Sequence, residues 1–224
     1  MGTSEFWSPI QLSLQVAAWS TLLVVVLGTL LGKLLARRRF RGRMLVETLF
    51  LLPMVMPPTV AGFGLLMLLG QEGVGRFFLP GEGMLFTKGA AVIASAVVSF
   101  PLMFQAAKVG FASIDPELEL VARSLGANSW QTLRYVQLPL AKRSLLAGVL
   151  LSFARGLGEF GATLMIAGNI PGRTQTIPLA IYNAVESGQT NRAWGLVICL
   201  FLLSFVMMAV IQQLQRQDAT NHAR

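Results

Sequence analysis

Charged and apolar residues along the chain separate into blocks rather than alternating. Ile10–Gly32, Thr48–Leu69, Gly89–Ala107 and Ala193–Ile211 contain no charged residue, and each is at least 19 residues long. A fifth apolar run, Ser144–Ala167, carries only Arg155 and Glu159. An α-helix needs about 20 apolar residues to cross a bilayer core, whereas barrel strands alternate over about ten. The pattern therefore predicts an all-α, polytopic membrane bundle of about five transmembrane helices, near residues 10–35, 46–69, 89–107, 144–167 and 193–212. Residues 1–224 form a single membrane domain in this reading, and 108–143 is its one long polar connection.

Composition agrees with the pattern. Of 224 residues, 54% are hydrophobic and 12% charged, and the mean hydropathy is +0.64. A soluble domain carries about a quarter charged residues, so too few remain here to wet a surface. The net charge of +8 then reads as topology. Arg37, Arg38, Arg39, Arg41, Arg43, Lys108, Arg123, Arg134, Lys142, Arg143, Arg216 and Arg224 fall in alternate connections and the C-terminal tail. The remaining connections hold only Arg76, Lys88, Arg173 and Arg192. Basic connections stay cytoplasmic, which predicts an external N-terminus, a cytoplasmic C-terminus and contact with anionic lipid on the inner face.

Several chemistries drop out. Met1–Pro9 has no basic residue and so lacks the n-region of a cleavable signal peptide. Cys199 is the one cysteine and lies in the last span, as a packing residue would; His222 is the one histidine and lies in the tail. No metal-ligand spacing, GxSxG or phosphate loop occurs, so neither an enzyme nor a cofactor is expected.

The spans look built to bend and to pack. Pro53, Pro57 and Pro58 interrupt the second and Pro101 the third. Each removes a backbone donor and bends its helix, and carbonyls freed at membrane depth need protein or a water-filled cavity beside them. Gly62, Gly64 and Gly156–Gly161 allow close helix contact. Arg155 and Glu159 are four apart and are expected to pair on one face of span four. Either alone would cost roughly 2.5–3.5 kcal/mol near the membrane centre, so neither should face lipid. They read as a structural ion pair or as a polar element of a solute route.

The connection 108–143 has its own signals. Asp115-Pro116-Glu117 starts a helix with an N-cap, a proline at the first position and acid in the first turn. Leu118, Val121, Ala122 and Leu125 form an apolar stripe, and Gly126 ends the helix in a left-handed turn. Asn128-Ser129 caps a second helix from Trp130 towards Gln137, which Pro139 is expected to end. Two short helices around a glycine turn suit docking on a soluble partner. They also resemble a DNA-reading helix-turn-helix, but the second helix offers only Arg134 to phosphates and both ends are tied to spans, so no nucleic acid is expected. On the other side, Pro178 should start a surface helix whose Ile177, Ile181, Ala184 and Val185 share a face.

Glu119-Leu-Val-Ala-Arg-Ser-Leu-Gly126, then nine residues, then Val136-Gln-Leu-Pro139, resembles the EAA loop of binding-protein-dependent ABC importer permeases. The glycine-to-Leu-Pro spacing fits the family pattern; Glu119 stands seven rather than six residues before the glycine, and Leu120-Val121 replace Glu-Ala. Ala154–Ala162, Gly168-Asn-Ile-Pro-Gly172 and Thr176-Ile-Pro178 look more specifically like the molybdate branch, with sulfate and tungstate permeases as neighbours. The resemblance implies a type I permease core of five spans, without the additional N-terminal span of some relatives. It implies a homodimer of this chain in the cytoplasmic (inner) membrane, driven by a cytoplasmic ABC ATPase dimer and served by an external oxyanion-binding protein. Glu119, Ala122, Gly126, Leu138 and Pro139 would couple it to the ATPase, with Arg155 and Glu159 beside the pathway. A self-contained channel or carrier is the rival class.

Overall fold

The computed structural model describes residues 3–38, 40–70 and 84–221, without the side chains of 3–5 and 214–221. Arg39, Arg76, His222 and Arg224, and the side chain of Arg216, lie outside the described residues. The described residues fold into helices joined by turns and short extended breaks, with no strand among them. In order it contains α1 (Thr3–Arg37), α2 (Arg43–Val55), α3 (Pro58–Leu69), α4 (Lys88–Ala112), α5 (Pro116–Ser124) and α6 (Ser129–Thr132). A π-helical turn (Leu133–Gln137) leads to α7 (Leu138–Leu157), α8 (Gly161–Ala167), α9 (Ile177–Glu186) and α10 (Thr190–Asn221).

Among the described residues, four helical stretches are long and apolar enough to cross a membrane: Phe6–Arg37, Lys88–Ala112, Ser129–Leu157 and Thr190–Gln213. The pair α2 and α3 makes a fifth if counted as one span, although they meet at 116°. The sequence leads one to expect a kinked helix over 46–69; the structure has a break instead. Pro57 and Pro58 stand together, so the chain loses two consecutive backbone donors and extends at Met56 and Pro57 before α3 begins on Pro58.

The core forms around α4, which packs along α1 on one side and α7 on another. Small residues make this contact close. A Cβ at Gly32 would stand 2.7 Å from the Ala107 Cβ, and one at Gly148 2.7 Å from the Ala106 Cβ. Buried hydroxyls stitch the same helices: Ser95 of α4 donates to Ser20 of α1 at 2.9 Å, and Ser152 of α7 to the Ser99 carbonyl of α4 at 3.4 Å. In lipid, where apolar burial gives little drive between helices, such packing and hydrogen bonding hold a bundle together. By contrast α10 leaves Trp194, Ile198, Phe201 and Phe205 exposed, an apolar face suited to lipid or another protein surface.

Candidate functional site

Two regions gather the residues singled out in the sequence. The first is the α5–α6 connection. Asp115 caps α5 by accepting from the Glu117 amide at 2.9 Å, and Asn128 and Gln131 form a reciprocal capping box at 2.8 Å each way. Between them Gly126 takes φ +87°, and the Ala127 amide donates to the Ala122 carbonyl at 3.0 Å, closing the helix end. A Cβ at Gly126 would touch nothing within 4 Å, so glycine is needed for its backbone angle and not for space.

The amphipathic stripe of α5 is oriented outward. Leu118, Val121 and Leu125 are exposed, Leu125 at 84%, while Ala122 and Glu119 are half-buried toward the bundle. Trp130 (65%) and Tyr135 extend the exposed apolar surface beyond the turn. Glu119 pairs with Arg37 at the end of α1, Oε1 to Nη1 being 2.7 Å.

The second half of the connection differs from expectation. Pro139 does not end a helix: α6, the π turn and α7 run on as one helical path from Ser129 to Leu157, with Pro139 in the first turn of α7. The wide π turn makes room for the ring, and the Leu138 amide donates five residues back, to Leu133. Leu138 lies half-buried beside Ile114, Phe111 and Ala141, while Pro139 is exposed. Span four thus begins well before residue 144 and stops at Leu157 rather than 167.

The second region is that stop. Arg155 is in the last turn of α7, but Glu159 lies outside the helix, in the break before α8. The two are not on one helical face, as their spacing suggests, yet they pair at 2.8 Å, Arg155 Nη1 donating to Glu159 Oε2. The other carboxylate oxygen, Oε1, accepts from the Ala162 amide at 2.9 Å. Glu159 therefore joins the C-terminal end of α7 to the N-terminal end of α8, each helix end matched to the charge it favours. Its side chain is 2% exposed and that of Arg155 35%, so the pair has one buried and one accessible end. Against this break lies the other one. A Cβ at Gly62 of α3 would meet the Ala162 Cα at 2.7 Å, and one at Gly161 would meet the Pro58 Cβ at 3.1 Å. The two broken spans cross backbone to backbone.

Sequence periodicity does not reveal the carboxylate cap or the Arg37–Glu119 pair, whose partners lie 82 residues apart. Glu47 is similar: it pairs with Arg43 at 2.8 Å and with Lys108 at 3.0 Å, fastening α2 to α4. At the opposite end from α5, helix α9 buries Ile177, Leu179, Ala180 and Ala184, while Val185 is exposed, so its inward face is rotated from the expected stripe. The Glu186 carboxylate accepts from the Tyr182 hydroxyl at 2.5 Å and raises that phenol's pKa above its ordinary value.

Comparison with known proteins completes the site. Residues 25–217 match the family of binding-protein-dependent transport system inner membrane components. YvgM of Bacillus subtilis (strain 168), named for molybdenum transport as a permease, is 50% identical over 216 residues, 95% of each chain. The molybdenum transport system permease protein ModB of Haemophilus influenzae is 40% identical over 215 residues, covering 94% of this chain and 93% of its own. The sulfate transport system permease protein CysW of Synechocystis is 34% identical over 224 residues, 99% of this chain and 81% of its own. In structure, the chain resembles a subunit of a bacterial ABC transporter that imports the acidic polysaccharide alginate. The TM-score is 0.76 at 16% identity, over 96% of this chain and 80% of that one. With the family match across most of its length, its helices apolar enough to span and its fold that of an importer permease, the chain belongs to the binding-protein-dependent transport system inner membrane components, as a multi-pass permease subunit and not an enzyme.

Proposed function

We propose that the chain is the permease of an ATP-driven importer of an oxyanion, molybdate, and that it works as a homodimer on a cytoplasmic ATPase dimer and beneath an external binding protein. The observation that carries the reading is the α5–α6 connection. It is capped at both starts, turned by Gly126, and leaves Leu118, Val121, Leu125 and Trp130 uncovered. An apolar face held on stabilised helices at the end of a membrane bundle is suited to a groove on a soluble partner. The cargo rests on the relatives, whose names specify molybdenum at 50% and 40% identity.

The physics of the cargo fits. A dianion cannot enter hydrocarbon, because burying an isolated charge there costs tens of kcal/mol. It needs a protein-walled route open to one side at a time, and the irregular backbone of the crossing breaks at Met56–Pro57 and Gly158–Phe160 supports reading them as part of its wall. In this reading Arg155, with its accessible end, stands beside the route, and Glu159 fixes it there. Residues 108–143 face the cytoplasm with the C-terminus, the N-terminus and α9 lie outside, and Glu119, Ala122, Gly126, Leu138 and Pro139 belong to the coupling surface.

Vesicles reconstituted with the permease, its ATPase and its binding protein test the reading. Molybdate should accumulate with ATP and loaded binding protein, and sulfate at equal concentration should compete weakly. Uptake that continues without the ATPase would favour a self-contained carrier, and preferential sulfate uptake would replace the cargo.

A further inference from the structure

The longest of the described helices touches the α5 connection at one end and α9 near the other. Helix α1 runs from Thr3 to Arg37, and its terminal arginine grips the start of α5 at two points. Arg37 Nη1 donates to Glu119 Oε1 at 2.7 Å, and Nη2 donates to the carbonyl of Ile114, the residue before the α5 cap. A guanidinium can hold two acceptors at once in a fixed plane, which an ammonium cannot. Beneath this clasp Ile114 is buried, packed in a cluster with Ala36, Ala107, Phe111 and Ala141. Lys33 adds its charge to the field at Glu119 from one turn earlier. The charges also suit the helix ends they occupy: Arg37 at the end of α1, and Glu119 in the first turn of α5.

Toward the other end of α1, the buried Ser13 accepts from the Ile177 amide at 2.7 Å, where α9 begins. Ser13 and Arg37 are 24 residues apart in one helix, about 36 Å at 1.5 Å per residue. Pro9 lies outside that interval, and no proline falls within it.

We propose that α1 is the transmission rod of the subunit: Arg37 is a positioning residue that fixes the coupling loop to it, and Ser13 fixes it to the outer helix α9. The proposal rests on the importer reading above, in which α5 and α6 sit on the ATPase. Glu119 then turns inward and holds the loop to its own subunit, while Leu118, Val121 and Leu125 face the partner. A shift of the loop moves α1 as a body, and α1 moves the backbone at Ile177 on the far side. Without Arg37 the loop can still follow the ATPase, but it slips against α1.

Uptake and hydrolysis measured in the same vesicles separate slippage from simple instability. With subunit abundance normalised, Arg37→Ala should lower molybdate transported per ATP hydrolysed by about fivefold or more, the scale of a 1–3 kcal/mol coupling. The exchange Arg37→Glu with Glu119→Arg should recover part of that ratio, and Arg37→Lys less, because lysine gives up the planar double grip. Ser13→Ala should lower the ratio in the same direction. A second measurement does not need the cargo. Spin labels on Leu34→Cys and Glu117→Cys, in a Cys199→Ser background, should keep one distance through the ATP cycle and broaden in Arg37→Ala. An unchanged transport ratio, a proportional fall of uptake and hydrolysis, or label distances indifferent to Arg37 would overturn the rod. Wild-type vesicles that hydrolyse ATP without importing molybdate, with label distances still governed by Arg37, would sink the cargo assignment and leave the rod standing.

Discussion

The α5–α6 connection and the α7–α8 break both hold a carboxylate paired with an arginine, and they differ in what that pair has to do. At the connection, Glu119 and Arg37 are partly open to water, and the local fold stands on caps and a glycine turn. At the break, Glu159 is buried and is itself the cap. In the first region the hydrogen bonds close locally, so the apolar side chains are free to point at a partner. In the second the N-cap position, Phe160, makes no side-chain bond, so the residue before it serves α8 instead, and its carboxylate is drawn into the interior to do so. Buried charge is tolerated where it satisfies two donors at once, one charged and one backbone.

Removing Glu159 should therefore have the largest effect. Glu159→Ala leaves the Ala162 amide and Arg155 without their acceptor, and should cost about 3 kcal/mol or more. Thermal unfolding of the detergent-solubilised subunit measures it. Glu159→Gln keeps an oxygen for the amide and should recover part of the loss, and Arg155→Ala with Glu159→Gln should be milder than Glu159→Ala. Equal melting points for all three would show that the carboxylate holds nothing. If the mild double variant is stable but fails to transport, Arg155 acts on the route and not only on the fold.

Two glycines sharpen the contrast at the next level. Gly62→Ala puts a Cβ 2.7 Å from the Ala162 backbone, so α3 and α8 must separate, at about 1–3 kcal/mol of stability. Gly126→Val meets no neighbour but must hold φ +87°, at about 1–2 kcal/mol confined to the loop. The first should lower the melting temperature and the yield. The second should leave yield normal while weakening ATPase association and abolishing its stimulation by loaded binding protein. Full uptake with Gly126→Val would remove this loop as the coupling element.

The smallest effect belongs to the caps. Asn128→Ala removes one half of the capping box and should cost about 1 kcal/mol, localised to α6. Hydrogen exchange should quicken at Gln131 and its neighbours while the amides of α4 stay protected. Quickened exchange across α4 as well would mean that the connection and the core unfold together.

Local chemistry made much of this fold legible. The apolar runs, the Asp115-Pro116 start, the Gly126 turn and the Asn128 cap each depend on residues within a few positions of one another, and a sequence displays such relations directly. Span ends were less legible where helix formers and breakers compete. Pro139 looked like a stop because a proline ends most helices, but a π turn before it absorbs the ring. Pro57 and Pro58 looked like a kink, and their summed loss of donors made a break.

The sequence alone therefore determined that the chain crosses a membrane as helices, that it presents a two-helix connection with a glycine turn, and which family it resembles. Those properties follow from composition, short-range hydrogen bonding and spacing. Only the tertiary structure decided that Glu119 faces its own Arg37, that Glu159 leaves its helix to cap the next one, and that the two broken spans cross at Gly62 and Gly161. The first and third depend on how helix axes lie in space, and the second on where α7 stops. A long-range pair such as 37 and 119 leaves no periodicity in the chain, because its geometry is fixed by the packing of α1 against α4 and not by either partner's neighbours.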